Sequence, residues 1–356
     1  MPAAEREPRT GGKLMTALAA RMRGRSIISR LVVGESALER RVLRGLEQVE
    51  TRLLECAGEA EDPRLAEVAG HLIAAGGKRL RPLLTLLGAE FGDVRGEGGV
   101  EAAVVAELIH TASLHHDDVM DEALLRHGVS SVNARWGNTV AVRSGNWLLA
   151  RAARLSASLA PEAIPLQAEA SERLVRGQLR ELVGPDGAER RLSHYFAVIS
   201  DKSASLISLS LRLGAVQAGA PAGVGEALAA YGEHLGVAFQ ISDDLLDITS
   251  SSADLGKEQG KDLAVGVAGL PVLLVLDDAW PGDEELRSLL NGAQAMRGQQ
   301  HERALALLQR SGCMARARGI MDERLAAARA SLGPLPPGPA RKALESLCEF
   351  VATRTA

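Results

Sequence analysis

The chain has 356 residues, with 41 Lys plus Arg against 45 Asp plus Glu, and this near-neutral balance argues against a sequence-independent nucleic-acid binder; no nucleic-acid partner is expected. Hydrophobic residues make up 46% but aromatics only 3%, so the apolar bulk is Ala, Leu and Val, which excludes disorder and disfavours a large β-sandwich or barrel. Cys56, Cys313 and Cys348 show no metal-ligand spacing and no disulfide framework, no apolar run is long enough for a transmembrane segment, and no signal-peptide core is visible, so a cytoplasmic protein is expected.

Residues 1–30 are polar and Arg-rich (Arg21, Arg23, Arg25, Arg30) and are expected to form a flexible N-terminal tail, which leaves peripheral contact with a membrane open. From about Ser36 to Ala57, Leu38, Val42, Leu46, Val49 and Leu53 recur at three and four, the period of an amphipathic helix. Pro63 opens a second helix that stops at Gly76-Gly77. A third follows Pro82, and a long one runs over 100–120. Further helices are predicted over 139–158, 162–183, 190–199, 202–217, 223–248, 269–279, 283–293, 300–311, 315–332 and 338–352. No period-2 strand and no βαβ rhythm occurs. The predicted fold class is all-α. The segments 105–120 and 235–248 are apolar on most faces, which places them at the centre of a single large helical bundle. No linker divides residues 31–356, so one domain is expected there.

Two acidic motifs carry the chemistry. Asp117-Asp118-Val119-Met120-Asp121 and Asp243-Asp244-Leu245-Leu246-Asp247 each place D-D-x-x-D at the end of an apolar helix. Helical residues four apart share a face, so Asp117 pairs with Asp121 and Asp243 with Asp247. Like charges this close repel and are costly in apolar surroundings. Two copies arise by chance at roughly 10⁻³ to 10⁻⁴, so a shared cation is the better reading. Oxygen-only ligands favour Mg²⁺, which binds through one or two carboxylates plus substrate phosphates; facing clusters would hold about three around one diphosphate. His115-His116 beside Asp117 makes no zinc site, because adjacent helical residues do not share a face and no third ligand is suitably spaced.

The cationic turn Gly76-Gly77-Lys78-Arg79-Leu80-Arg81-Pro82 suits a phosphate group. Arg126, Lys202, Lys257 and Lys261 add cations near the acidic motifs. Together these residues describe an acidic rim with cationic clamps over an apolar interior.

On these motifs the chain resembles the trans-polyprenyl (isoprenyl) diphosphate synthases. GGKRLRP, IHTASLHHDDVMDEALLRHG, DKSASL, GVAFQISDDLLDITS and GKEQGKDL occur in that family's order and spacing. The resemblance implies an all-α bundle around a deep apolar cavity, usually a homodimer. It also implies a transferase that joins an allylic prenyl diphosphate to isopentenyl diphosphate. Asp117, Asp118, Asp121, Lys202, Asp243, Asp244 and Asp247 match the catalytic positions, with Asp117, Asp121 and Asp243 as Mg²⁺ ligands. Arg126, Gln240 and Lys257 match positions that steady the allylic diphosphate, and Lys78, Arg81 and His110 match those for isopentenyl diphosphate. Ser203 stands where the family usually has Thr, and His127 where it usually has a second Arg. Val267 after Gly266 replaces a Lys, and Asn146 after Gly145 replaces an Asp.

The same resemblance makes Ala112 and Ser113 chain-length positions. Their small side chains imply a medium or long all-trans product, with Trp147 as a candidate plug deeper in the cavity. Two other activities compete: a terpene cyclase-like enzyme on the same scaffold, and a catalytically weak partner subunit of a heteromeric synthase. Lys78, Arg81 and His110 argue against the first, and six retained motif aspartates against the second.

Overall fold

The first helix, α1 (Ser36–Gly58), buries Leu38, Val42, Val49, Leu53 and Cys56, one stripe at helical spacing. The computed structural model describes residues 36–93, 98–186, 189–250, 259–277, 282–291 and 295–354. The 1–30 tail and Lys257 lie outside the described residues. α2 (Pro63–Ala75) starts with Pro at its first position and Asp62 accepting the Arg64 N–H at 2.9 Å; it ends at Gly76. α3 (Leu80–Ala89) and α4 (Gly98–Met120) follow. A two-residue antiparallel pair, β1 (Leu125–Arg126) with β2 (Val129–Ser130), is the departure from the all-helical expectation. His127 and Gly128 both have positive φ (52° and 80°), as a tight two-residue hairpin turn demands.

The remaining helices are α5 (Val132–Trp136), α6 (Asn138–Ser156), α7 (Ala163–Val183), α8 (Arg191–Ile199), α9 (Ser205–Gln217), α10 (Ala222–Thr249), α11 (Lys261–Val265), α12 (Leu270–Asp277), α13 (Glu284–Asn291), α14 (Gln299–Arg310), α15 (Gly312–Ser331) and α16 (Pro339–Thr353). Ser200–Ala204, between α8 and α9, is a π-helical turn. Among the described residues, no helix is long and apolar enough to cross a membrane.

The described residues form two compact units. The first comprises those up to Ser171 with Leu209–Glu226 and Pro336–Leu344. Its centre is α4, where residues 102–109 and 111–115 are all buried; α4 packs on α6, α3 and α1. The second comprises the described residues of Glu172–Ser208, Ala227–Leu335 and from Glu345 onward. Here α10 buries Leu228, Tyr231, Leu235, Ala238, Ile241, Leu245 and Ile248. Gly236 on α10 lies so close to the backbone of Ala204 that a side chain there would clash, and this approach sets α10 against the π-helical turn.

Candidate active site

In the first unit, α4 carries the first acidic motif to its C-terminal end. The helix stops at Met120, but the Asp121 N–H still bonds the Asp117 carbonyl at 2.8 Å, so the two aspartates remain one turn apart. Glu122 takes a left-handed φ of 49°, and the Ala123 N–H returns to the Asp118 carbonyl at 2.9 Å. Asn133 Nδ2 donates to the same carbonyl at 2.9 Å and to that of Ala123 at 3.1 Å.

The three aspartates are not equivalent. Asp118 is fully buried, and its Oδ1 accepts Arg126 Nε at 2.8 Å and Nη2 at 2.5 Å. Burial raises its pKa against the pull of Arg126, and its Oδ2 is buried without a hydrogen-bond partner. Asp117 is partly exposed and Asp121 exposed. Arg126 thus faces Asp118, while Asp117 and Asp121 lie nearer the surface.

The three cations of the GGKRLRP turn have three different fates. Arg79 adopts a left-handed φ of 48° and turns into the protein. There it meets Glu107 at 2.8 Å, Glu50 at 2.5 and 3.1 Å, and the Ile73 carbonyl at 2.8 Å. Burial opposes its charge, but the two carboxylates outweigh it and raise the pKa. Lys78 is exposed. Arg81 lies between these extremes: its Nη1 is 3.1 Å from His110 Nε2, and its Nε is buried without a partner. Burial lowers the Arg81 pKa, while Glu107 and Asp117 push it back up. Burial, reinforced by Arg81, His127, Arg79 and Arg126, holds the His110 pKa well below 6.5. His110 is therefore neutral at pH 7 and accepts from Arg81. The His127 ring packs beside Gly77, 3.4 Å from where a side chain would begin.

The paired histidines behave as local hydrogen-bonding groups. His115 Nδ1 lies 2.8 Å from Ser144 Oγ, and His116 Nε2 lies 3.3 Å from the Val142 carbonyl. The chain-length candidates are also in this unit. Ala112 is fully buried, Ser113 is nearly so and donates to the His110 carbonyl at 2.8 Å, and Trp147 is partly buried. A cavity of about 840 Å³ lies elsewhere in the unit, walled by Arg41, Arg52, Leu86, Glu90 and Gln217 among others, and no candidate residue lines it.

In the second unit, α10 holds the second motif entirely within the helix. Asp244 is buried and accepts three donors: Tyr195 Oη at 2.6 Å, the Leu270 N–H at 2.8 Å and Gln240 Nε2 at 3.2 Å. Burial still pushes its pKa to about 6. Asp247 is buried and accepts the Asp262 N–H at 3.1 Å. Only Asp243 is substantially open, at 41% side-chain exposure, and Arg354 Nη2 meets it at 2.7 Å. The π-helical turn presents Lys202, ion-paired with Glu181, and Ser203, which donates to Gln240 Oε1 at 3.1 Å. Beneath it, Asp201 accepts Arg176 Nε at 2.8 Å and Arg173 Nε at 3.1 Å; burial opposes its charge, but the two arginines lower its pKa.

The aspartates therefore divide by environment. Asp118, Asp244 and Asp247 are buried against protein donors, whereas Asp117, Asp121 and Asp243 are partly or fully exposed. Among the described residues no group of three or more His, Cys, Asp or Glu forms a ready metal cage. The exposed acidic groups of the two motifs are all carboxylates, a set suited to a hard cation that takes its other ligands from water and phosphate. The sequence-based expectations missed Tyr195, Arg79 and Arg354. Tyr195 sits seven residues before Lys202, one of two tyrosines in an aromatic-poor chain, and that rarity was its available signal.

Comparison with known proteins gives a consistent result. The sequence pattern of the family described as Polyprenyl synthetase matches residues 62–308. A nonaprenyl diphosphate synthase of Mycobacterium tuberculosis is 40% identical, over 92% of this chain and 98% of the relative. A heptaprenyl diphosphate synthase component 2 of Geobacillus stearothermophilus is 36% identical, over 85% and 93%. Among solved structures, a geranylgeranyl pyrophosphate synthase of Corynebacterium glutamicum, complexed with calcium and isoprenyl diphosphate, superposes with a TM-score of 0.81 at 38% identity, covering 90% of this chain and 98% of that one.

Proposed function

We propose that this chain, which belongs to the polyprenyl synthetase family, is a prenyltransferase that condenses an allylic diphosphate with isopentenyl diphosphate to give a medium- or long-chain all-trans polyprenyl diphosphate. We place its synthase domain at residues 31–356 and its activity in the cytoplasm. The observation that supports the reading is the split in exposure among the aspartates: Asp117, Asp121 and Asp243 reach the surface in part or in full, while Asp118, Asp244 and Asp247 are buried against protein donors.

Asp117, Asp121 and Asp243 would hold Mg²⁺, about three ions in all, a number that follows from the cation's habit of taking one or two carboxylates plus phosphate. Bound there, Mg²⁺ supplies charge neutralisation for the departing diphosphate. The protein's own groups supply the rest. Arg126, Lys202, Gln240 and Lys257 steady the allylic diphosphate and meet the charge that grows as the C–O bond ionises. Arg126 and Lys202 now face Asp118 and Glu181, so each shares its charge between carboxylate and substrate. Lys78, Arg81 and His110, with His127 beside Gly77, hold isopentenyl diphosphate; the unpartnered Arg81 Nε is a buried donor suited to an anionic oxygen. Holding the two substrates together turns the addition into an effectively unimolecular step. Apolar walls keep water from the cation. The proton lost after addition goes to the released diphosphate. Ala112, Ser113 and Trp147 set product length.

A homodimer is part of the proposal. Val175, Leu179, Leu182 and Val183 form an exposed apolar stripe on α7 at helical spacing. Leu179→Glu with Val183→Glu should convert the protein to monomers in size-exclusion chromatography with light scattering. An unchanged mass would remove this face as the interface.

The site assignment is tested with Asp117→Ala and Asp243→Ala. Each should abolish turnover while leaving the circular dichroism spectrum unaltered. Full activity in either would overturn the assignment of that aspartate.

A further inference from the structure

α16 ends at Thr353, and the next residue reaches the second acidic motif. Arg354 Nη2 is 2.7 Å from Asp243 Oδ1, and its guanidinium carbon lies 4.3 Å from the centroid of the Phe239 ring. Phe239 and Asp243 are four apart on α10 and so share a face. Ring and carboxylate form a two-point seat for the guanidinium. The Arg354 side chain is only 10% exposed, and its Nη1 is buried without a hydrogen-bond partner. A guanidinium is a rigid planar fork of five donors. One edge here is spent on Asp243 and the π-face is covered by Phe239, which leaves a dry donor beside the one open carboxylate of the motif. A buried charged donor in that condition calls for an anion.

We propose that Arg354 is a further diphosphate-binding residue held in reserve on Asp243. Its guanidinium and a divalent cation are alternative partners of that carboxylate, because two cations on one carboxylate oxygen repel. When a divalent cation takes Asp243, Arg354 is retained by the Phe239 ring and offers its released N–H groups to a diphosphate oxygen. This inference rests on the reading of Asp243 as a metal ligand. Arg354 would then link metal loading to substrate capture: the cation frees the donor that the diphosphate needs.

The experiment uses the full chain with Arg354→Ala, Arg354→Lys and Asp243→Asn, each first checked for an unchanged melting profile. Mg²⁺ alone and inorganic diphosphate at saturating Mg²⁺ are titrated calorimetrically. Arg354→Ala should bind Mg²⁺ about two- to five-fold more tightly, the worth of a partly exposed ion pair no longer to be displaced. It should bind diphosphate at least about ten-fold more weakly, the loss expected for a hydrogen bond to a charged group. Arg354→Lys should keep near wild-type Mg²⁺ affinity and recover part of the diphosphate affinity. Affinities within two-fold of wild type in Arg354→Ala, or a change in only one of the two, overturn the proposal. Asp243→Asn separates the failures: undiminished Mg²⁺ binding in that variant removes the metal-ligand reading itself, whereas lost Mg²⁺ binding with a silent Arg354→Ala removes Arg354 alone.

Discussion

Tyr195 Oη donates to Asp244 Oδ2 at 2.6 Å, tying α8 to the centre of the second acidic motif. Gln240 Nε2 donates to the other oxygen, and Ser203 donates to Gln240 Oε1, so a line of hydrogen bonds runs from Tyr195 to the π-helical turn. The network fixes which way the Gln240 amide points. It also keeps a buried carboxylate, whose pKa burial has pushed to about 6, satisfied on both oxygens.

Tyr195→Phe should remove the leading donor and raise the Asp244 pKa further. The folded pKa already lies above the ordinary carboxylate value near 3.9, so protonated Asp244 favours the fold. That contribution is present below about pH 4 and lost as pH rises through about 6, amounting to about 3 kcal/mol for a two-unit shift. In Tyr195→Phe the decline should extend to higher pH, and kcat should fall as Gln240 loses its register. Urea melts in EDTA between pH 4 and 8 check the first statement, and identical curves for the two proteins would contradict it.

Asp117 and Asp118 are neighbours with opposite roles. Asp118→Ala strands Arg126 at a partly buried position and should cost about 1–3 kcal/mol of stability. Asp117→Ala should change stability by less than about 1 kcal/mol. Its turnover should nevertheless fall by at least about 10²-fold. Denaturant midpoints and initial rates on the same preparations check the contrast.

Much of the fold is legible as periodicity. The run now seen as α4 loses its polar face where it is most buried, and α6, α7 and α10 begin and end within two residues of the predicted bounds. The breakers responsible, such as Gly137 and Pro161, act locally. What was not legible is long-range or very short. The hairpin has two residues per strand, too few for a period-2 pattern, and α5 and α11 are single turns. Lys78, Arg79 and Arg81 look alike as a string; only the left-handed turn at Arg79 and two acids, 29 and 28 residues away, assign it to the interior. Tyr195 meets Asp244 across 49 residues and Arg354 meets Asp243 from the far end of the chain, pairings with no local signal. The aspartate motifs themselves were plain, but their inward and outward members were not, because burial belongs to the packed helix.

His115 gives a second pH signature. Burial, with smaller contributions from His116 and His71, lowers its pKa to about 4. A histidine depressed in the fold contributes stability that is present above its unfolded pKa, near 6.5, and lost as pH falls toward 4. The shift corresponds to about 3 kcal/mol. His115→Gln, which keeps a polar reach toward Ser144, should lose this acid-sensitive contribution, so that between pH 6.5 and 4 its stability changes relative to wild type by about 3 kcal/mol in favour of the variant. A profile as steep as wild type would assign the acid sensitivity elsewhere.

Ala112→Phe should shorten the product, since the proposal sets position 112 beside the growing chain. The residue has no exposed surface, so the larger ring should also cost about 1–3 kcal/mol through overpacking. Product sizing therefore accompanies a thermal melt. An unshortened product from a folded variant would mean that the chain does not pass this residue.

The most direct measurement is elongation itself: purified protein, Mg²⁺, labelled isopentenyl diphosphate and each allylic primer from C5 to C20, with products sized by chromatography. The account predicts Mg²⁺-dependent incorporation of several five-carbon units into a medium or long all-trans chain. No incorporation with any primer would contradict it, and primer consumption without isopentenyl label in the product would replace it with cyclase-like chemistry.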